Sequence, residues 1–257
     1  MIYTGTEDVV LSTTRLRFGT GDNEFSIVNS GTTLTWTGDA SPSVNTDLKK
    51  TGDGTLIFAG GTKGLADVGV DGGTFLLGGS PTDLSVLTGD VEVNSGGTLG
   101  CRGTIDGTAI LNGGTFSPDA SFGTTTVGGL NAGTTSTLNM EIGYDANNPG
   151  IISSDQIIVS AGGIVDLTGI NLKLVEVAGP DIINTATIVD IINLGAGATL
   201  IGTFASITDD MYFLDAVVNI DTVTPVVGLS FVRNANRFGG VADTPNEGAV
   251  AGAGFFK

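Results

Sequence analysis

Glycan cleavage on a β-fold needs clustered carboxylates in a groove, often with Arg or Lys beside them, and the adjacent pair Asp209-Asp210 is the nearest candidate in this chain. Its flanks, Ile207-Thr208 and Met211-Tyr212, read as strand ends around a turn, so a solvated turn is the simpler role. The chain has no histidine and one cysteine, Cys101. The usual general base for a thiol or hydroxyl nucleophile is therefore missing, and so is the commonest zinc, copper and haem ligand. Cys101 is expected to be a buried or partly buried structural thiol, and no intrachain disulfide can form. Arg15 and Arg17 alternate with Leu16 and Phe18, which reads as the outer face of a strand rather than an anion site. Aspartates in Gly-Asp-Gly and Asp-Gly-Gly corners could hold calcium, but the strict nine-residue calcium-binding repeat is absent and a turn role is expected. Thr33, Thr35 and Thr37 alternate with Leu34 and Trp36. An ice-binding array would have to repeat such threonines on successive coils; no repetition is read here, so they are taken as the outer face of one strand. Accordingly no catalytic, cofactor-binding or metal-binding residue is expected, and no enzymatic activity.

The elements that would carry these residues follow from composition. Of 257 residues 42 are glycine, 40% are hydrophobic and only 14% are charged, which argues against both disorder and a salt-bridged helical bundle. Ten basic against 27 acidic residues give a net charge of −17, and the basic residues are scattered, which argues against nucleic acid and anionic lipid as partners. The segment Met1 to Gly5 has no basic n-region and no apolar h-region, and no apolar run reaches membrane-spanning length. The chain reads either as cytosolic or as a piece of a longer one.

A unit recurs in which two apolar positions separated by one residue lead into a Gly-Gly turn, then Thr and another apolar residue. Val68 to Phe75, Val91 to Leu99 and Ala109 to Phe116 are the clearest copies; Phe25 to Leu34 and Ile157 to Ile164 are looser ones. The period is near 20 residues and tolerates insertions. Period-2 alternation means short strands with Val68, Val70, Val91, Val93, Leu99, Leu111 and Phe116 on the inner side. One such unit cannot bury its apolar side, whereas stacking at the ~4.8 Å strand spacing builds a continuous core. The expected fold is an all-β, elongated single domain, a parallel β-helix, with an antiparallel sandwich as the rival. Beyond about residue 138 the texture changes to longer Ile, Leu and Val runs, expected to bury more apolar surface per coil and to nucleate folding. Thr244-Pro245-Asn246-Glu247 has the form of a helix start.

Leu48-Lys-Lys50-Thr-Gly52-Asp-Gly54-Thr55-Leu56 resembles the short repeat of bacterial autotransporter passenger domains. The order of Leu138 to Gly143, Ser154 to Val159, Gly169 to Leu172, Ile201 to Phe204 and Val227 to Asn234 is similar to the pertactin-like C-terminal passenger region. Ala242 to Ala251 resembles the junction leading into an outer-membrane β-barrel. The resemblance implies type V secretion and a right-handed β-helix assembled outside the cell. It divides the chain into Gly-Gly-Thr-rich coils at 1–137, a pertactin-like autochaperone region at 138–232 and a junction at 233–257. It implies a membrane-proximal stalk and folding template at the bacterial surface, monomeric, serving adhesion or virulence. Its partners would be its own C-terminal barrel and a host-cell receptor or matrix. The alternative reading is a β-helical polysaccharide lyase or hydrolase.

Overall fold

The computed structural model describes residues 1–12, 15–16, 23–40, 46–80, 82–83, 85–118, 122–144, 152–177, 183, 185–221 and 225–236. Among them are 27 strands and no helix. The local cause is the alternation: Val91 and Val93 are fully buried while Glu92 between them is exposed, and only extended chain puts such a set on one side. All seven residues expected inside are fully buried.

Each coil passes through three faces. Face one stacks Ile2–Tyr3, Asn23–Ile27, Leu48–Thr51, Asp67–Val70 and Asp90–Asn94, continues through the later parts of Thr104–Asn112 and Thr124–Thr134, and ends on Ile164–Asp166 and Thr199–Ile201. Face two stacks Val9–Leu11, Thr33–Trp36, Thr55–Phe58, Gly73–Leu77, Gly97–Cys101, Thr115–Ser117, Ser136–Tyr144, Ile170–Val177 and Ser206–Thr208. Face three stacks Arg15–Leu16, Asp39–Ala40, Thr62–Lys63 and Val86–Leu87, then the first parts of the same two long strands, Gln156–Val159 and Ile188–Leu194. All of these pairings are parallel, and the chain visits the faces in a fixed cycle. The protein is a parallel β-helix. Because the two long strands run from face three into face one, those faces merge into one 17-stranded sheet, while face two belongs to a separate 10-stranded sheet.

The Gly-Gly pair turns the chain from face one to face two. Gly96 has φ +90°, the left-handed region that glycine tolerates best, and Gly97 lies so close to the coil below that a Cβ would sit 2.3 Å from the Val70 carbonyl oxygen. The looser copy Gly162-Gly163 serves a different corner, from face three to face one. Sequence alone does not separate the two corners, since both need the same backbone freedom.

One expectation about the architecture, a stack of parallel coils throughout, is corrected. The stack is not parallel to its end: Leu214–Asp221 and Val226–Arg233 form an antiparallel hairpin that lies antiparallel on Ile188–Leu194 and closes face three. Ile152–Ser154 also folds back antiparallel on Ser136–Tyr144. The aliphatic residues of 138–232 divide between the two sides: Leu138, Ile142, Val165, Leu172, Ile191 and Ile192 are among those buried, while Ile158, Ile164, Ile188, Ile201, Ile207, Val217, Ile220 and Val232 face outward. Among the described residues, the fully or nearly fully buried aromatic side chains other than Phe231 lie in the earlier coils: Phe25, Trp36, Phe58, Phe75 and Phe116. The candidate helix at Thr244 and most of the 233–257 junction lie outside the described residues.

Candidate functional site

Among the described residues, the outward positions of face one bring charged side chains together on successive coils. Glu24, Lys49, Gly69 and Glu92 fall in register on four successive coils, with Asp67 and Asp90 paired one step earlier along the strands. Gly69 has no side chain, and a Cβ built on it would meet nothing within 4 Å, so the row dips there. The result is a trough of about 480 Å³ lined by Asn23, Glu24, Asp47, Lys49, Asp67 and Glu92. Lys49, the only basic side chain among those lining residues, forms an ion pair with Asp71 at 2.8 Å. That hydrogen bond, with a second one from Asn94 Nδ2 at 2.6 Å, holds the Asp71 carboxyl below its ordinary value against a smaller opposing effect of burial. The Thr51 hydroxyl donates to Glu24 and the Thr108 amide to Asp90, at 2.5 and 2.7 Å. The trough can accept hydrogen bonds from hydroxyls and attract cationic groups.

Asp209 and Asp210 sit in the connection after Ser206–Thr208. The Asp209 carboxylate accepts the Met211 and Ala216 amides at 3.2 and 3.1 Å, and Asp210 accepts the Glu176 amide at 2.7 Å. Both carboxylates therefore hold backbone. What the sequence did not reveal is Glu176, whose carboxyl is raised by partial burial and then by the Asp210 and Asp209 charges. A carboxyl raised in this way holds its proton more readily than an ordinary one, which is the direction a general acid needs. Its position one coil earlier was not legible because coil length varies with insertions.

Face two is unlike face one. Thr33, Thr55, Thr74, Thr98, Thr115 and Thr137 form one continuous outward column, and the column beside it reads Thr35, Ile57, Leu76, Gly100, Ser117 and Asn139. None of the twelve is charged. The reading that the threonines do not recur is thus corrected for Thr33: its equivalents are Thr55, Thr137 and the threonines of three Gly-Gly-Thr units, Thr74, Thr98 and Thr115, which the sequence showed but did not align with Thr33. Thr35 has no such succession, and Asn139 Oδ1 is buried without a hydrogen-bond partner. The column fits β-branched residues stacking at the ~4.8 Å strand spacing.

The remaining candidates are placed as follows. Cys101 is fully buried at the end of Gly97–Cys101. Arg15 lies in a face-three strand in register with Asp39, and Arg17 lies outside the described residues. Among the described residues no group of three or more His, Cys, Asp or Glu side chains is arranged to hold a metal ion. No family model matches the chain, and no curated protein matches it.

Proposed function

We propose that this chain is the membrane-proximal stalk and folding-template segment of a surface-displayed autotransporter passenger, carrying an adhesive or virulence function farther along the chain. The observation that carries the reading is the role of the passenger-like motif Leu48 to Leu56. Its residues form one whole corner between faces one and two, and the same corner recurs coil upon coil in a parallel β-helix. A stack of this kind grows by nearest-neighbour contact, which suits a chain that emerges from one end and folds as it emerges. The absence of disulfides suits passage through an oxidising compartment, where a premature cross-link would block export.

The test is made in bacteria expressing the full reading frame. Protease added to intact cells should cleave within this segment, and deleting residues 138–232 from the precursor should abolish display while leaving the barrel inserted. Complete protection of the segment in intact cells would overturn the proposal.

The carbohydrate-enzyme reading is favoured by one observation, the raised Glu176 carboxyl beside Asp209 and Asp210. Glycan cleavage by the purified protein, lost in Glu176→Gln, would establish that reading instead.

A further inference from the structure

Two lysines occupy positions that the fold otherwise reserves for apolar side chains. Lys50 stands in the interior column of face one, in register with Phe25 below and Val70 above. Lys63 stands in the interior column of face three, in register with Ala40 and Leu87. Both are 0% exposed. Each side chain bends to a corner where backbone carbonyls converge. Lys50 Nζ donates to Thr51, Gly52 and Gly72 oxygens at 2.9, 2.8 and 2.9 Å. Lys63 Nζ donates to the Gly38, Ala59 and Gly60 oxygens and lies 5.0 Å from the centre of the Trp36 ring.

An ammonium has three hydrogens and each corner offers it three oxygens, so the match requires the charged form. A neutral amine would turn a lone pair toward one of the carbonyls. The charged groups that act on these ammoniums are Asp53 for Lys50, and Asp39 and Asp83 for Lys63.

The two lysines belong to the same coil, built from Leu48–Thr51, Thr55–Phe58 and Thr62–Lys63. They reach in opposite directions along the axis. Lys50 binds the Gly72 carbonyl of the next coil, and Lys63 binds the Gly38 carbonyl of the preceding one. An aliphatic column tolerates a two-residue slip, because one inward Val or Leu replaces another. A lysine does not, because the slip takes away the one oxygen that the neighbouring coil supplies, Gly72 for Lys50 and Gly38 for Lys63, and leaves a buried ammonium with only the two oxygens of its own coil.

We propose that Lys50 and Lys63 are tethered ammonium ions bound in carbonyl cages, and that they make the coil of residues 46–66 the register-setting unit of the stack. This inference does not depend on the proposed function. It places the unit that fixes the alignment of the earlier coils within those coils rather than in 138–232.

The test uses the whole chain. Lys63→Ala should lose at least tenfold of amide-exchange protection across residues 33–77. Refolding that variant in n-propylammonium chloride should restore the protection, while equal concentrations of 1-propanol or sodium chloride should not. Equal rescue by 1-propanol, or undiminished protection in the variant, would overturn the proposal, since the lysine would then be filling space. If the variant does not fold, the unmodified protein gives the answer through an amine-reactive label. Lys50 and Lys63 should react in one common slow phase, slower than amide exchange in Asn23–Ile27 and Asp90–Asn94, while exposed Lys49 reacts at once. Independent or fast labelling of the two buried lysines would refute the lock.

Discussion

Replacing Phe58 with alanine removes the ring at the centre of the aromatic group that joins successive coils. Phe58 is fully buried, and its ring meets Trp36 at 5.0 Å and Phe75 at 5.1 Å, edge to face in both cases, with Phe25 at 6.3 Å. Trp36 is its register partner on the coil below, whereas on the coil above that place belongs to Leu77 and Phe75 reaches the ring from the neighbouring inward position, in register with Leu56, so aromatic contact runs along the axis. A buried Phe→Ala change costs about 3–5 kcal/mol through lost transfer energy and the cavity left behind. Each favourable aromatic pair adds about 0.5–1.5 kcal/mol, which places this site at the upper end, near 5 kcal/mol. Because a solenoid is held by nearest-neighbour interfaces, the loss should be local. Native-state hydrogen exchange should show protection falling in Thr33–Trp36, Thr55–Phe58 and Gly73–Leu77 and unchanged in Ile170–Val177. Phe58→Leu should recover most of the loss. The reasoning fails if the alanine variant loses less than about 2 kcal/mol, or if protection falls equally along the whole stack.

How much of this was legible in sequence depends on which physical signal wrote it. The inward set from Val68 to Phe116 was readable because period-2 alternation reports burial directly. The Gly96-Gly97 corner was readable because a left-handed φ and a 2.3 Å approach leave glycine as the residue that fits. The three faces were not, because two-residue strands such as Thr62–Lys63 are too short to show a period, and Thr104–Asn112 spans two faces with no break. The two inner lysines broke the apolar pattern, so alternation placed them nowhere in particular. Their burial depends on carbonyls from coils 22 and 25 residues away. Which Ile and Val of 138–232 face inward was not legible for a related reason: β-branched residues suit a strand whichever way they face, so hydropathy alone does not assign them to the core. The antiparallel closing hairpin carries the same alternation as a parallel strand, and direction leaves no mark on it.

The two glycines Gly97 and Gly69 should respond in opposite ways to alanine. Gly97→Ala should cost about 1–3 kcal/mol because its Cβ meets backbone that cannot move aside, whereas Gly69→Ala enters open space and should leave the denaturation midpoint within about 0.5 kcal/mol of the parent. Glu176 has a folded-state carboxyl raised above its unfolded value of 4.5, so its favourable contribution is complete below that pH and is lost as pH rises through the folded value. Glu176→Gln should therefore gain on the parent between pH 4 and pH 7, and a constant difference over that range would show that the carboxyl is not raised. Lys50 gives the opposite slope at the other end of the scale. Burial lowers it from 10.5 to about 8, with Asp53 opposing the shift, so the caged ammonium is charged at pH 7. Between pH 8 and pH 10.5 the unfolded chain holds a proton that the folded chain has released, and folding is favoured as pH rises across that window. Lys50→Met removes the group from both states. Urea midpoints of the parent minus those of Lys50→Met should therefore climb from pH 8 to pH 10.5 and be level below pH 7. A difference that falls instead would mean that the three carbonyls raise Lys50 more than burial lowers it, and that the proton stays in the cage until the chain opens.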